Sequence, residues 1–405
     1  MQTAVLGDVA NFYAGASLPA GEDFVGQSGG YLLAKVSDMN LPGNERTLSR
    51  TRGWSAVAGA KSATAPAGSL VLPKRGGAIG TNKKRILERA CILDPNLMAV
   101  EALPERLDKG YLYHWFQSFD LSSIVNGSTV PQLNKKDLAP LRLPLPPVDV
   151  QQRIAQVLDQ VDALRDKRRE AIARLGALVQ ATFVDMFGDA RTNPMNWPTG
   201  PMAQVVDEFR YGTSVKSSAQ GHPALRIPNV LSGTLDMSEI KKVPVSEAEF
   251  GRLRLVDGDL LFVRTNGNPE YVGRCAVFSA EDASAAGFDG SEFIYASYLI
   301  RARLRRDAVD PGYVREHLLS ASGRAVLLSK SKTSAGQYNI NIQGLGEVPL
   351  MMPPVGLQKE FARRIERVKM FQKTHETHLA ALDALFVSVR HRAFRGELWA
   401  DAAAV

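Results

Sequence analysis

The residues best placed to do chemistry are basic ones gathered around glycine. The stretch "LPKRGGAIGTNKKR" (residues 72–85) sets Lys74, Arg75, Lys83, Lys84 and Arg85 on either side of a glycine-rich turn. Glycine lets a backbone come close to a ligand, Lys and Arg neutralise phosphate, and Arg also presents a fork of donors to a base edge. "FVRTNGNPEYVGR" (residues 262–274) carries Arg264, Thr265, Asn266 and Arg274 in a comparable setting, with Arg264 at the place that Lys74 takes in the first stretch. "NERTLSRTRGW" adds Arg46, Arg50 and Arg52, "TSVKSS" and "ALRIPNV" add Lys216 and Arg226, and "SAGQYN" offers Gln337, Tyr338 and Asn339. These types suit recognition of a polyanion such as duplex DNA: phosphate contacts for affinity, groove contacts for sequence.

Composition is compatible with that chemistry and removes several others. The 405 residues hold 49 Lys and Arg against 42 Asp and Glu, a net charge of +7, and the 45% hydrophobic content is enough to bury real cores. Cys91 and Cys275 lie far apart, so a disulfide scaffold is not expected, and no Cys/His spacing matches a zinc site. His375, His378 and His391 fall on the last helical stretch, where packing or solvent suits them better than a metal. A phosphate-binding loop, a metal-spaced acid cluster and a nucleophile with its base are all missing from the sequence. "NPEY" (residues 268–271) resembles in part the Asn-Pro-Pro-Tyr loop of adenine methyltransferases, but Glu270 stands at the second proline and no glycine-rich fingerprint precedes it. The chain is therefore expected to catalyse nothing, and to hold no cofactor and no metal. Its first residues, "MQTAVLGDVANFYAG", lack a basic segment followed by an apolar run, and no apolar stretch reaches the roughly 18 residues of a membrane span, so a cytoplasmic location is expected.

The elements that must position these residues come twice. A shift of 207 lays Asn134 on Asn341, Leu138 on Leu345, Leu143 on Leu350, Pro146-Pro147-Val148 on Pro353-Pro354-Val355 and Gln151 on Gln358. The same shift pairs Val161 with Val368, Leu175 with Leu382 and Phe187 with Phe394. Weaker echoes at a shift of about 190 join "GSLVLPKRGG" to "GDLLFVRTNG" and "LAKVSDM" to "ALRIPNV", in the same order along both halves. The glycine- and proline-rich parts mix short strands with helices such as "YLYHWFQS" and "PGYVREHLLS", which predicts an α+β fold. After each Pro-Pro pair a single long helix is expected. Ile154, Leu158, Val161, Leu164, Ile172, Leu175, Val179, Phe183 and Met186 make one apolar stripe, and Phe361, Ile365, Val368, Leu379, Leu382, Phe386 and Val389 make the other. A helix over residues 150–187 is about 57 Å long and cannot bury its stripe alone, so the two are expected to pair as an antiparallel, coiled-coil-like spacer with approximate two-fold symmetry. The predicted domains are 1–148, the helix 149–190, 191–355, the helix 356–398 and a tail 399–405.

The helix-entry segments carry a family likeness. "STVPQLNKKDLAPLRLPLPPVDVQQRIAQVLDQVDAL", followed by "LVQATFVDMFGD", resembles the first conserved region of the specificity subunits of type I restriction–modification enzymes, and "NINIQGLGEVPLMMPPVGLQKEFARRIERV", closing in "HRAFRGEL", resembles the second. The resemblance implies that 1–148 and 191–355 are target recognition domains, each reading one half of a bipartite, asymmetric DNA site. It implies that the helices set the spacer and dock two methyltransferase subunits, which bind S-adenosylmethionine and methylate adenine. A motor-nuclease partner using ATP and Mg is implied as well. The competing expectation is a stand-alone DNA-binding or scaffold protein with no methyltransferase partner.

Overall fold

A computed structural model describes residues 2–125, 130–334 and 336–398; the expected tail, 399–405, lies outside the described residues. The chain divides into two compact units, residues 1–169 with 377–405, and residues 170–376. Each is a mixture of helix and mostly antiparallel sheet.

In the first unit a five-stranded sheet runs in the order Ala10–Ala14, Leu97–Ala102, Leu70–Pro73, Arg85–Leu87, Thr47–Leu48. The strand Leu70–Pro73 is apolar throughout because both of its faces are covered. Alternation sends Leu70 and Leu72 into a core with the helix Lys109–Gln117, and Val71 into a core with a second sheet. In that second sheet Tyr31–Ala34 and Cys91–Leu93 run parallel. The second unit repeats the arrangement. Its sheet runs Val206–Tyr211, Leu299–Leu304, Leu260–Val263, Cys275–Val277. Leu260 and Phe262 face the core with the helix Pro311–Leu319, while Leu261 and Val263 face the smaller sheet, where His222–Leu225 and Ile294–Tyr295 are again parallel. The weak sequence echoes thus mark corresponding strands.

The two long helices are Val148–Phe187 and Val355–Arg395. Proline at 146–147 and 353–354 closes a short strand, Arg142–Pro144 or Pro349–Met351, and its fixed φ suits the start of a helix. Ile154, Leu158 and Val161 join the first unit's core together with Phe386 and Ala393; Val179, Phe183 and Phe187 join the second unit's core with Phe361 and Ile365. The stripe is not uniformly covered, however. Leu164 is 46% exposed, and Ile172 and Leu175 are only partly covered. Beside Leu164 it is Arg165 that turns inward, paired with Asp162 and with Asp383 at 2.6 Å and lying 4.5 Å above the Phe386 ring. An ion pair and a cation–π contact stand there where periodicity predicts apolar packing.

Each globular part is fastened to its helix by the same buried contact. Gln151 is fully buried; its Oε1 accepts from the Asp108 N–H at 2.9 Å, and its Nε2 donates to the carbonyls of Pro146 at 2.8 Å and Arg106 at 3.0 Å. Gln358, also fully buried, accepts from the Asp310 N–H at 2.9 Å and donates to the Pro353 carbonyl at 2.7 Å. Asp108 and Asp310 in turn cap the helices Lys109–Gln117 and Pro311–Leu319. One turn on, the hydroxyls of Tyr111 and Tyr313 donate to the carbonyls of Pro144 (2.9 Å) and Met351 (3.0 Å). The sequence signal for this contact is "DKGY" (residues 108–111) against "DPGY" (residues 310–313).

Gln151→Leu removes the partners of buried backbone groups, and Gln358→Leu does the same in the second unit; each is expected to destabilise the chain by about 2–4 kcal/mol, read as a lower urea midpoint. A second expectation concerns His317, buried beside Tyr313 with its Nε2 accepting from the Met351 N–H at 3.4 Å. Burial pushes its pKa down to about 4 from 6.5. Between those values the unfolded chain holds the extra proton, so stability is lost as pH falls from 6.5 to 4, by roughly 3 kcal/mol at full extent. Urea midpoints across that window should fall more steeply for the natural chain than for His317→Gln.

Candidate nucleic-acid interface

The two basic stretches leave their strands in one and the same frame. In the first unit the Lys74 N–H donates to the Asn96 carbonyl (2.6 Å), the Lys74 carbonyl accepts from the Leu133 N–H (2.9 Å), and Arg75 bridges antiparallel to Gln132. In the second, the Arg264 N–H donates to the Tyr298 carbonyl (2.9 Å), the Arg264 carbonyl accepts from the Ile340 N–H (2.9 Å), and Thr265 pairs with Asn339. Leu133 and Ile340 are related by the shift of 207. Strand exit and helix entry therefore meet at one point in each unit, and the side chains there differ.

Burial divides the candidate residues sharply. Arg75 is exposed and makes no side-chain hydrogen bond or ion pair among the described residues; Lys74 beside it is partly covered, its pKa lowered by burial and then by Arg75. Arg52 and Lys216 are exposed as well. Lys84 is not available: it is 1% exposed, and its ammonium donates to the Phe119 carbonyl at 2.6 Å and to Asn82 Oδ1 at 2.8 Å. Asn82, in the left-handed region at φ 54°, also accepts from the Leu121 N–H at 3.0 Å, so the pair braces the loop around Phe119. The expectation that Lys84 touches DNA is thus replaced by an internal role. Lys83 bonds to Asn40, and Arg85 donates to the carbonyls of Lys84 (2.9 Å) and Met39 (3.3 Å).

The same internal use recurs elsewhere. Arg46 pairs with Asp159 on the first long helix and lies over Tyr113, while Arg50 donates to the Pro42 carbonyl. Arg226 donates to Glu239. Arg264 lies 4.7 Å above the Tyr211 ring and donates to the Ser297 carbonyl at 3.3 Å. Arg274 donates to the carbonyls of Glu270 (2.9 Å) and Leu231 (3.1 Å). The sequence reading missed Arg324, which reaches the carbonyls of Glu270 (3.1 Å) and Val272 (2.8 Å) and braces the "NPEY" turn from the other side. Within that turn Asn266 Oδ1 accepts from the Asn268 N–H (2.9 Å) and Asn268 Oδ1 from the Glu270 N–H (3.0 Å), so it is a rigid loop tip. Also missed was Tyr298, 60% exposed beside Arg264. Gln337 is exposed, Tyr338 packs on the core, and Asn339 is partly covered with its Nδ2 donating to the Gln337 carbonyl at 3.3 Å.

Cys91 and Cys275 are buried, and burial raises both thiols to about 12, far from a reactive thiolate. Among the described residues no group of three or more His, Cys, Asp or Glu could hold a metal ion, and no helix is long and apolar enough to cross a membrane.

Frame, duplication and long helices define a class of two-unit α+β proteins, and comparison with known proteins gives it a family. Residues 2–174 match the family model "Type I restriction modification DNA specificity domain". The specificity subunit of the type I restriction enzyme EcoKI from Escherichia coli K12 is 31% identical over 321 residues, covering 74% of this chain and 68% of that protein. The StySPI specificity subunit of Salmonella potsdam is 23% identical over 74% of this chain and 67% of its own length. The fold resembles the type I S subunit of M. genitalium, with a TM-score of 0.58 at 12% identity over 97% of this chain and 96% of that one. The chain belongs to the type I restriction enzyme specificity subunit family.

Arg75→Ala is expected to leave stability within about 0.5 kcal/mol of the natural chain. Lys84→Ala, which removes the buried ammonium's hydrogen bonds to the Phe119 carbonyl and to Asn82 Oδ1, is expected to destabilise by about 1–3 kcal/mol. Chemical denaturation of the two variants side by side checks the division.

Proposed function

We propose that this chain is the non-catalytic sequence reader of a type I restriction–modification complex. Residues 1–148 and 191–355 act as target recognition domains, each taking one half of a bipartite, asymmetric DNA site. The helices 149–190 and 356–398, paired antiparallel, set the spacer between the halves and dock two methyltransferase subunits. Those subunits bring S-adenosylmethionine and methylate an adenine in each half-site; a motor-nuclease subunit with ATP and Mg supplies cleavage. The complex works in the cytoplasm.

The observation that carries this reading is one frame built twice with different side chains at equivalent places. Lys74-Arg75 stands in one unit and Arg264-Thr265 in the other. Equal frames suit two similar stretches of duplex, and unequal side chains suit two unlike sequences. A palindromic operator would ask for the same side chains in both. A scaffold that never meets DNA has no use for an exposed Arg75 and a polar loop tip at corresponding strand exits.

Deleting the gene should abolish one split adenine-methylated motif from the methylome of its host. Replacing residues 1–148 with those of a relative should change one half of that motif and leave the other intact. The full chain should also co-purify with a methyltransferase at two copies per chain. A deletion that leaves every methylated motif in place would sink the assignment.

A further inference from the structure

At the strand exit of the second unit three short strands form an antiparallel ribbon: Thr265–Asn266, Gln337–Asn339 and Lys332–Ser334. The register pairs Thr265 with Asn339 and Asn266 with Tyr338 on one side, and Lys332 with Asn339 and Thr333 with Tyr338 on the other. Side chains on a strand alternate between faces. Tyr338 packs on the core, so Thr333 and Asn266 share the inner face with it. The outer face then carries Thr265, Lys332, Gln337 and Asn339. It is polar throughout, with one positive charge. A two-stranded antiparallel ribbon, such as the pair Lys332–Ser334 and Gln337–Asn339, fits the major groove, where base pairs differ in their donor and acceptor patterns.

One side chain on that face is both exposed and oriented. Gln337 opens its strand and pairs with Ser334, so it stands at the ribbon's end. The Thr265 hydroxyl donates to Gln337 Oε1 at 3.0 Å. With the amide in this orientation its oxygen keeps a second lone pair, and Nε2 donates to no group among the described residues. Asn339, by contrast, has its Nδ2 tied to the Gln337 carbonyl, and Arg264 is held by Tyr211 and Ser297.

We propose that Gln337, its amide oriented by Thr265, is a specificity-determining residue of the second unit and reads one adenine in the major groove. An acceptor beside a donor on one planar group matches the N6 amino group and N7 of adenine. The adenine it reads is not the one methylated, because a base flipped out for methylation no longer presents that edge in the groove. This inference rests on the DNA-reading function proposed above and adds the base class and the side chain.

The test is competition binding by the full chain assembled with its methyltransferase subunits, using duplexes changed one base pair at a time across both half-sites. The natural complex should prefer A·T at one position of one half-site by roughly 5- to 150-fold, the discrimination of a single bidentate amide–adenine pair. Gln337→Ala should bring that preference to within about twofold and leave the other positions as they were. Gln337→Glu should move the same position toward cytosine, whose N4 amino group donates to a carboxylate. Thr265→Val should weaken the preference at that position alone. Full preference retained at every position by Gln337→Ala would overturn the proposal. So would an equal loss of binding on every duplex, the mark of a phosphate contact or a misfolded hairpin. Absence of any split preference in the natural complex would overturn the DNA-reading function instead.

Discussion

The architecture depends on a glutamine placed one turn inside each long helix. Burying a carboxamide is unfavourable unless its oxygen and nitrogen both find hydrogen-bond partners. Gln151 meets that demand with the Asp108 N–H and two carbonyls, Gln358 with the Asp310 N–H and the Pro353 carbonyl. Both sides of the joint are otherwise committed. The aspartates are caps of the packed helices, and the prolines fix the chain as it enters the long ones. The amide therefore ties globular part and helix together through buried hydrogen bonds. Hydrophobic contact alone, as between Tyr313 and Phe187 or Tyr111 and Phe394, is strong but tolerates sliding. Hydrogen bonds at fixed distances do not.

From that joint the geometry is carried outward by a sheet buried on both faces. Leu70 to Leu72 and Leu260 to Phe262 alternate between two cores, so a slip of one residue would exchange every contact. The strand exits at Lys74 and Arg264 inherit this rigidity. Much of the chain's basic character then serves the loops themselves. Arg85, Arg226, Arg264, Arg274 and Arg324 all donate to backbone carbonyls. A guanidinium carries five donors in a planar fork and keeps its charge when half-buried, which makes it an efficient brace for irregular chain. A net charge of +7 consequently overstates the cations that face a ligand.

This is also why the sequence disclosed the frame more fully than the site. Period and order are local properties, so the duplication, the strands, the long helices and the equivalence of Lys74 with Arg264 were legible. The fate of a cation is a long-range property. Lys84 is buried by Phe119 and Arg85 is held by Met39, 35 and 46 residues away along the chain. Nothing near "TNKKR" distinguishes the lysine that braces a loop from one that faces water. Leu164 fails in the opposite sense: it has the right period, but Arg165 has an acid partner in Asp383 and an aromatic face in Phe386, and takes the inner position. The aspartate and tyrosine of the joint were visible as a short repeated pattern, but their meaning appears only once Gln151 and Gln358 are seen to reach them.

The same separation of tasks explains how unlike side chains can share one mount. Contacts that fix position, the glutamine joint and the double-faced sheet, lie in the interior and recur in both units. The side chains that differ, Arg75 against Thr265 and the loops that follow them, lie beyond the last covered residue of the strand. On the proposed function, a change there would alter which base edge or phosphate is met without touching the packing that aims it, since exposed substitutions cost little stability. Arg75 offers a charge and a fork, suited to guanine or to a phosphate, while Thr265 with Gln337 offers a neutral amide. On the proposed function, the two halves of the target would then differ in kind: one held with a marked dependence on salt, the other distinguished mainly by hydrogen-bond geometry.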